Sequence, residues 1–246
     1  MAFCYGDSVV GTTGINGDAF FISSDNTTIM LADGASGAGE KGKVIMSSHC
    51  VKTLEQEPFS GSGLSPEEYL DTIIWKINDD LIKISQKSKT YTFGTLIICV
   101  VHNHIVNIAS IGDSPAYVIH NGSIRRVSKS IKTYQNLIDM DLLTEDQAEE
   151  YIRKLHPYMY SMFDRFIPMV VPEYSIEKVE LTSGDVIVLC CDGVSDFISP
   201  DEIKDIISTN AVSEGISKII EIAKYRSIKE HGCEKYDDIT VVTYCH

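Results

Sequence analysis

Four short acidic stretches hold the chemistry this chain could perform: Asn16-Gly17-Asp18, Asp33-Gly34, Asp192-Gly193 and Asp237-Asp238. The first two are separated by the strand-like runs Ala19-Phe20-Phe21-Ile22 and Thr28-Ile29-Met30-Leu31-Ala32. The third ends the apolar run Val186-Ile187-Val188-Leu189-Cys190-Cys191, and the fourth opens Ile239-Thr240-Val241-Val242. Carboxylates at the ends of buried strands, drawn from both halves of one chain, repel one another unless a positive charge joins them. Mg²⁺ and Mn²⁺ are hard ions that take oxygen ligands, so the pattern reads as several carboxylates sharing divalent metal.

The elements that must position these acids are a mixture of strands and helices. Residues 18–33 read as two antiparallel strands, rich in aromatic and β-branched residues. A glycine-rich loop, Gly34-Ala35-Ser36-Gly37-Ala38-Gly39, leads into a helix from about Glu40 to Glu55. Ser65-Pro66-Glu67-Glu68 is a capping box that starts a second helix, with Leu70, Ile73, Ile74, Ile77, Leu81 and Ile84 on one face. A three-strand meander is expected over Thr92–Val101, His104–Ile111 and Ala116–His120, with a hairpin-type turn at Asn121-Gly122. Thr144-Glu145-Asp146-Gln147 is another capping box, which places two helical pieces within 134–156. Strands at Glu173–Leu181 and Val186–Cys191, a helix capped by Ser199, a helix over Val212–Lys229 and a strand at Asp238–Tyr244 complete the chain. Hairpins and meanders with helices grouped apart indicate an α+β fold of packed antiparallel sheets.

Composition narrows the function. At 246 residues, 43% hydrophobic and 23% charged, the chain reads as a single globular domain over 1–246. A net charge of −14 argues against nucleic-acid binding, which needs a Lys/Arg surface. No run reaches the ~20 apolar residues of a membrane span, and the N-terminus lacks signal-peptide features. The seven cysteines include no CxxC, and Cys50, Cys99, Cys190 and Cys191 sit in apolar runs as packing residues. These features suggest a reduced, cytoplasmic protein.

Taken together in order, the stretches resemble one family: the metal-dependent protein serine/threonine phosphatases (PPM, type 2C) in their compact bacterial form. Asn16-Gly17-Asp18-Ala19-Phe20 and Ala32-Asp33-Gly34 through Glu40 resemble its first two motifs. Phe93-Gly94-Thr95 with Ile111-Gly112-Asp113-Ser114-Pro115-Ala116-Tyr117 resembles the central pair. Leu189 through Asp196 and Asp237 through Val242 resemble the last two. Leu142 through Ala148, with His156-Pro157 after it, resembles the bacterial flap, here a segment of about 130–168.

The resemblance implies a four-layer α-β-β-α sandwich with Mn²⁺ or Mg²⁺ in a cleft between the sheets: two ions, with a third weaker site. It implies Asp33 bridging the two ions, Asp192 and Asp237 on the first, the Gly34 carbonyl on the second, and Asp18 reaching the second through water. Asp113 would join Asp192 at the third site. The implied reaction is hydrolysis of phosphoserine and phosphothreonine in proteins by a water bridging ions roughly 3.5–4 Å apart. The implied partners are phosphorylated proteins, met by a monomer.

The chain also departs from that family's pattern. No basic residue occurs in Gly11-Thr12-Thr13-Gly14-Ile15, where many members grip phosphate with arginine, so weaker affinity or binding by loop amides is expected. Ala35 stands where animal-type members have a histidine, leaving leaving-group protonation to metal-bound water. Pro115 replaces an arginine, Ser130-Ile131 replaces an Asp-His pair, and Gly17 replaces an acidic or amide residue. These losses motivate a second reading, a weak or inactive pseudophosphatase that regulates a partner. A third is a regulatory phosphatase for a narrow partner.

Other residues read as structural. Asp238 is taken as exposed or loop-capping, Asp196 as a helix-start residue or one that supports the ligands without being one, and Asp25 and Asp185 as turn residues. His102 and His104 are exposed turn residues, and Ser195 lies in no nucleophile elbow. Trp75 shares the helical spacing of its isoleucine neighbours and is expected in the core. Tyr158, Tyr160, Met162 and Phe163 are expected to pack the flap.

Overall fold

The computed structural model describes residues 2–129, 144, 174–231 and 236–246. These residues form two five-stranded antiparallel sheets. One runs in the order β1 (Phe3–Val9), β10 (Ile239–Cys245), β9 (Val186–Cys190), β6 (Ala116–His120), β7 (Ser123–Arg126). The other runs β2 (Asp18–Ile22), β3 (Thr28–Gly34), β4 (Gly94–His102), β5 (Ile105–Ile111), β8 (Ser175–Glu180). Helices α1 (Gly39–Gln56) and α2 (Pro66–Ser88) cover the second sheet. Helices α4 (Pro200–Thr209) and α5 (Val212–His231) cover the first, after the single turn α3 (Asp192–Ser195). This is the four-layer α+β sandwich expected from the sequence.

The period of two along the central strands explains the layering. On β3, Ile29 and Leu31 enter the core between the sheets, while Met30 and Ala32 face α1 and α2. On β4, Ile97, Cys99 and Val101 alternate in the same way with Leu96, Ile98 and Val100. Strands apolar on both faces must be covered on both faces, so the helices are obligatory. Helices α2 and α4 begin as the sequence predicts. Ser65 and Glu68 form a complete capping box on α2, as do Ser199 and Glu202 on α4, each contributing roughly 1 kcal/mol.

Three expectations are corrected. The meander ends at β5, because β8 takes its free edge and β6 crosses into the other sheet beside β9. The crossing follows Gly112, whose φ of +84° turns the chain away from β5. Strand β1 has no counterpart in the sequence reading. It lies at a sheet edge with Phe3 and Tyr5 exposed, so it lacks an apolar run. Trp75 is 38% exposed; five residues beyond Leu70, it points away from the face made by Leu70, Ile73, Ile74, Ile77 and Leu81. Ser130-Ile131, the flap tyrosines Tyr158 and Tyr160, Met162, Phe163 and the flap helices lie outside the described residues, Thr144 apart.

Candidate metal centre

The expected site residues all map to one end of the sandwich, where strands of both sheets start or stop. Asp18 opens β2 and stands directly across from Asp33 near the end of β3, and Asp33 in turn faces Thr95 on β4. Asp113 follows β5, Asp192 follows β9, and Asp237 precedes β10. Asp33, Gly34, Asp113, Asp192 and Asp237 line one cavity of about 390 Å³ together with Ser36, Lys43, Thr95 and Asp196. A second cavity of about 330 Å³ shares Ser36, Asp192, Asp196 and Asp237 with it. Asp18 lies behind the first cavity, 7% exposed.

Glycines let the backbones close on this end. A Cβ on Gly94 would stand 2.0 Å from the Asp33 carbonyl oxygen, and one on Gly193 would stand 2.1 Å from that of Asp238. Neither position has room for a side chain, so these Asp-Gly and Gly-Thr steps serve packing as well as chemistry.

Asp18 is held by a chain of donors. The Asn16 amide donates to Ser8 Oγ at 2.8 Å, and Thr240 Oγ1 donates to Asp18 at 2.7 Å. The 2.7 Å contact between Ser8 Oγ and Thr240 Oγ1 therefore has Ser8 as donor. Burial pushes Asp18 up to about 7, and Asp238 and Asp192 add to that rise, against the donors on Thr240 and Cys191. Desolvation raises Asp33 well above the usual carboxylate range, followed by the charges of Asp18 and Asp237. Asp192, open to the cavity, is raised first by Asp33, then by desolvation and by Asp237, Asp196 and Asp113. Each acid is thus destabilised in its ionised form by the others.

The donor set fits hard divalent cations. Asp18 stands opposite Asp33 in the β2–β3 register and its charge helps raise the Asp33 carboxyl, and two acids facing one another in this way suit a cation. Every acidic donor offers oxygen, the ligand type of Mg²⁺ and Mn²⁺. Among the described residues, no three His, Cys, Asp or Glu side chains already close around one point. Mutually repelling carboxylates instead spread along the wall of a shared cavity.

Lys43 escaped the sequence reading of this end, while Asp238 takes the loop-capping role named there and Asp196 joins the cavity wall. Asp238 is buried at 4% exposure. It accepts from the Gly11 amide at 2.7 Å, the Gly17 amide at 2.8 Å and Lys43 Nζ at 2.8 Å. It ties the two ends of the 11–17 loop to α1. Lys43 carries no signal in the sequence, since a lysine in a polar helical stretch reads as solvated. Asp196 lines both cavities, and its position four residues after Asp192 was the available clue. Most amides of the 11–17 loop are engaged within the protein. The amides of Gly11, Thr12, Gly14, Ile15 and Gly17 already donate to Asp238, to the carbonyls of Tyr236 and Gly11, and to Thr13 Oγ1.

Comparison with known proteins gives the family and the fold. The protein phosphatase 2C family model matches residues 5–220. The serine/threonine protein phosphatase PstP of Mycobacterium tuberculosis is 25% identical over 199 residues, covering 79% of this chain and 37% of that protein. This chain therefore matches little more than a third of PstP's length. The serine/threonine phosphatase stp of Listeria welshimeri is 23% identical over 240 residues, covering 92% and 87% respectively. The solved catalytic domain of PstP in complex with two manganese ions superposes with a TM-score of 0.76 at 21% identity, covering 99% of this chain and 97% of that one. The chain is a member of the protein phosphatase 2C family.

Proposed function

We propose that this chain hydrolyses phosphoserine and phosphothreonine in proteins, using Mn²⁺ or Mg²⁺ held at the acidic end of the sandwich. The supporting observation is the gathering of Asp33, Asp113, Asp192 and Asp237 around one cavity, with Asp18 opposite Asp33 in the β2–β3 register. In this reading Asp33 would be shared by two ions, Asp192 and Asp237 would help hold the first, and the Gly34 carbonyl and Asp18 would help hold the second. Asp113 and Asp192 serve a third. Such ions, when bound, supply an acidified water and neutralise phosphoryl charge.

The chain's own residues would set the geometry around that chemistry. Asp18 is oriented by Thr240, and Thr240 by Ser8, so the second ion's acid is fixed before any ligand arrives. Ala35 has no proton to give, so no side chain at that position assists the leaving group. We take the protein as a single domain over 1–246 and a cytoplasmic monomer acting on phosphorylated proteins. No helix among the described residues is long and apolar enough to cross a membrane.

The test is Mn²⁺-stimulated hydrolysis of a phosphothreonine peptide. Wild type turns over, while Asp33→Ala and Asp192→Ala lose turnover and keep their circular dichroism. Equal turnover in all three would reject the site. The partner-binding pseudophosphatase is favoured by one observation, the internally engaged amides of the 11–17 loop. Tight Mn²⁺ binding without turnover on any phosphopeptide or folded phosphoprotein would select it.

A further inference from the structure

Lys43 has no place in the reading above, yet it is the only basic side chain among the described residues lining the two acidic cavities. Helix α1 carries it inward, and it is 4% exposed. Its Nζ lies 2.8 Å from Asp238 Oδ2 and 3.4 Å from Thr13 Oγ1. Its stem runs across Gly17. A Cβ on Gly17 would stand 2.5 Å from Lys43 Cδ, 2.9 Å from Cγ and 3.1 Å from the Gly34 carbonyl oxygen. Any side chain at position 17 would therefore occupy the space that the lysine stem fills. Lys43 and Gly17 are one arrangement: the acidic or amide group expected at 17 is absent, and a tethered ammonium passes through its place.

We infer that Lys43 is a built-in cation beside the second-ion position, so that the chain binds one divalent ion tightly and a second much more weakly. The inference rests on the proposed metal centre. The ammonium is anchored by Asp238, which shares the field of Asp18, and its stem borders the carbonyl of Gly34. Those are the two groups assigned to the second ion alone. Paired with Asp238, the ammonium cancels the carboxylate charge that Asp238 would otherwise add to the pull on a second cation, and the stem fills the space beside Gly17 from which a further ligand would reach it. The side of the cavity formed by Asp192 and Asp237 has no such charge among the described residues. The first position therefore keeps its full attraction.

The experiment counts ions without using activity. Mn²⁺ is titrated into the full chain, and free ion is followed by its electron paramagnetic resonance signal. Wild type is expected to bind one ion tightly and a second at least about tenfold more weakly. Lys43→Met leaves the Asp238 charge uncompensated beside Asp18, and in it the two affinities are expected to converge; the double variant Lys43→Met/Asp238→Asn removes both charges together and is expected to keep the wild-type asymmetry. Lys43→Arg keeps the charge and should keep the wild-type asymmetry. Two equally tight ions in wild type would overturn the inference and leave the metal centre standing, even if the double variant does not fold. An asymmetry unchanged in folded Lys43→Met, or abolished in the double variant, would also overturn it. No Mn²⁺ bound at all would overturn the metal centre itself.

Discussion

The two ends of the sandwich both carry aspartates in short turns, yet they hold them in opposite electrostatic states. At the far end, Asp25 accepts from Ser23 and Thr27, and Asp185 accepts from Thr182 and His120. Those donors pull both carboxyls below their ordinary value, against the cost of burial. At the cleft end, Asp18, Asp33, Asp192 and Asp196 are all raised, by burial and by one another. Volume does not make the distinction: a cavity of about 560 Å³, larger than either cleft cavity, lies at the far end beside Asp25. An aspartate ringed by donors is already satisfied and serves the fold. An aspartate ringed by aspartates is incomplete and awaits a cation.

The sharpest way to break this comparison is to neutralise one acid at each end. Asp237→Asn should lower Mn²⁺-dependent phosphopeptide turnover beyond the roughly 10–100-fold that loss of a supporting partner costs. Asp185→Asn should leave turnover unchanged. If both variants lost activity alike, the division between the ends would be wrong.

Backbone contact gives the next largest effect. Gly94→Ala places a methyl against the Asp33 carbonyl and should cost about 1–3 kcal/mol or more in urea unfolding. At the far end, Gly184 has open space around its Cβ position but a φ of +93°, so alanine there is disfavoured by conformation instead of contact.

Smaller in size but opposite in sign is the effect of charge removal on stability. In chelator, Asp185→Asn should lower the unfolding free energy by about 1–2 kcal/mol, as bonds to a charged acceptor are weakened. Asp192→Asn should raise the melting temperature instead, because it relieves repulsion from Asp33. Calorimetry on both variants decides it, and equal destabilisation would contradict the account.

A further effect is on pH dependence. Asp18 is raised from 3.8 to about 7 in the fold. Between those values the folded chain retains protons that the unfolded chain has released, so the chelated protein becomes more stable as pH falls through that window. Asp25 and Asp185 act oppositely: their stabilisation is present above 3.8 and is lost as pH falls through their lowered folded values. Melting curves in chelator between pH 7 and pH 4 should therefore shift upward on acidification, and flatten with saturating Mn²⁺.

Much of this was legible in the residues. Capping boxes at Ser65 and Ser199 and the apolar stripe of α2 depend on neighbours in sequence, and they formed as written. The acids at strand ends could be found because strands of an antiparallel sandwich bring their ends together. What could not be read depends on partners far apart in the chain. No local pattern says that β6 changes sheets, since alternation specifies a strand and not its neighbour. Lys43 and Asp238 meet across 195 positions, and a lysine between glycine and valine looks like any solvated helix residue. Trp75 was misread because apolar character alone does not place a residue on the buried face.

The central claim is that acids from both sheets share divalent ions at one end of the sandwich. Crystals of the full chain grown with Mn²⁺, measured at the manganese absorption edge, test it directly. The account predicts an anomalous peak in the cavity within ligand distance of Asp33, Asp192 and Asp237. A cavity without a peak, at Mn²⁺ concentrations that support hydrolysis, would contradict it.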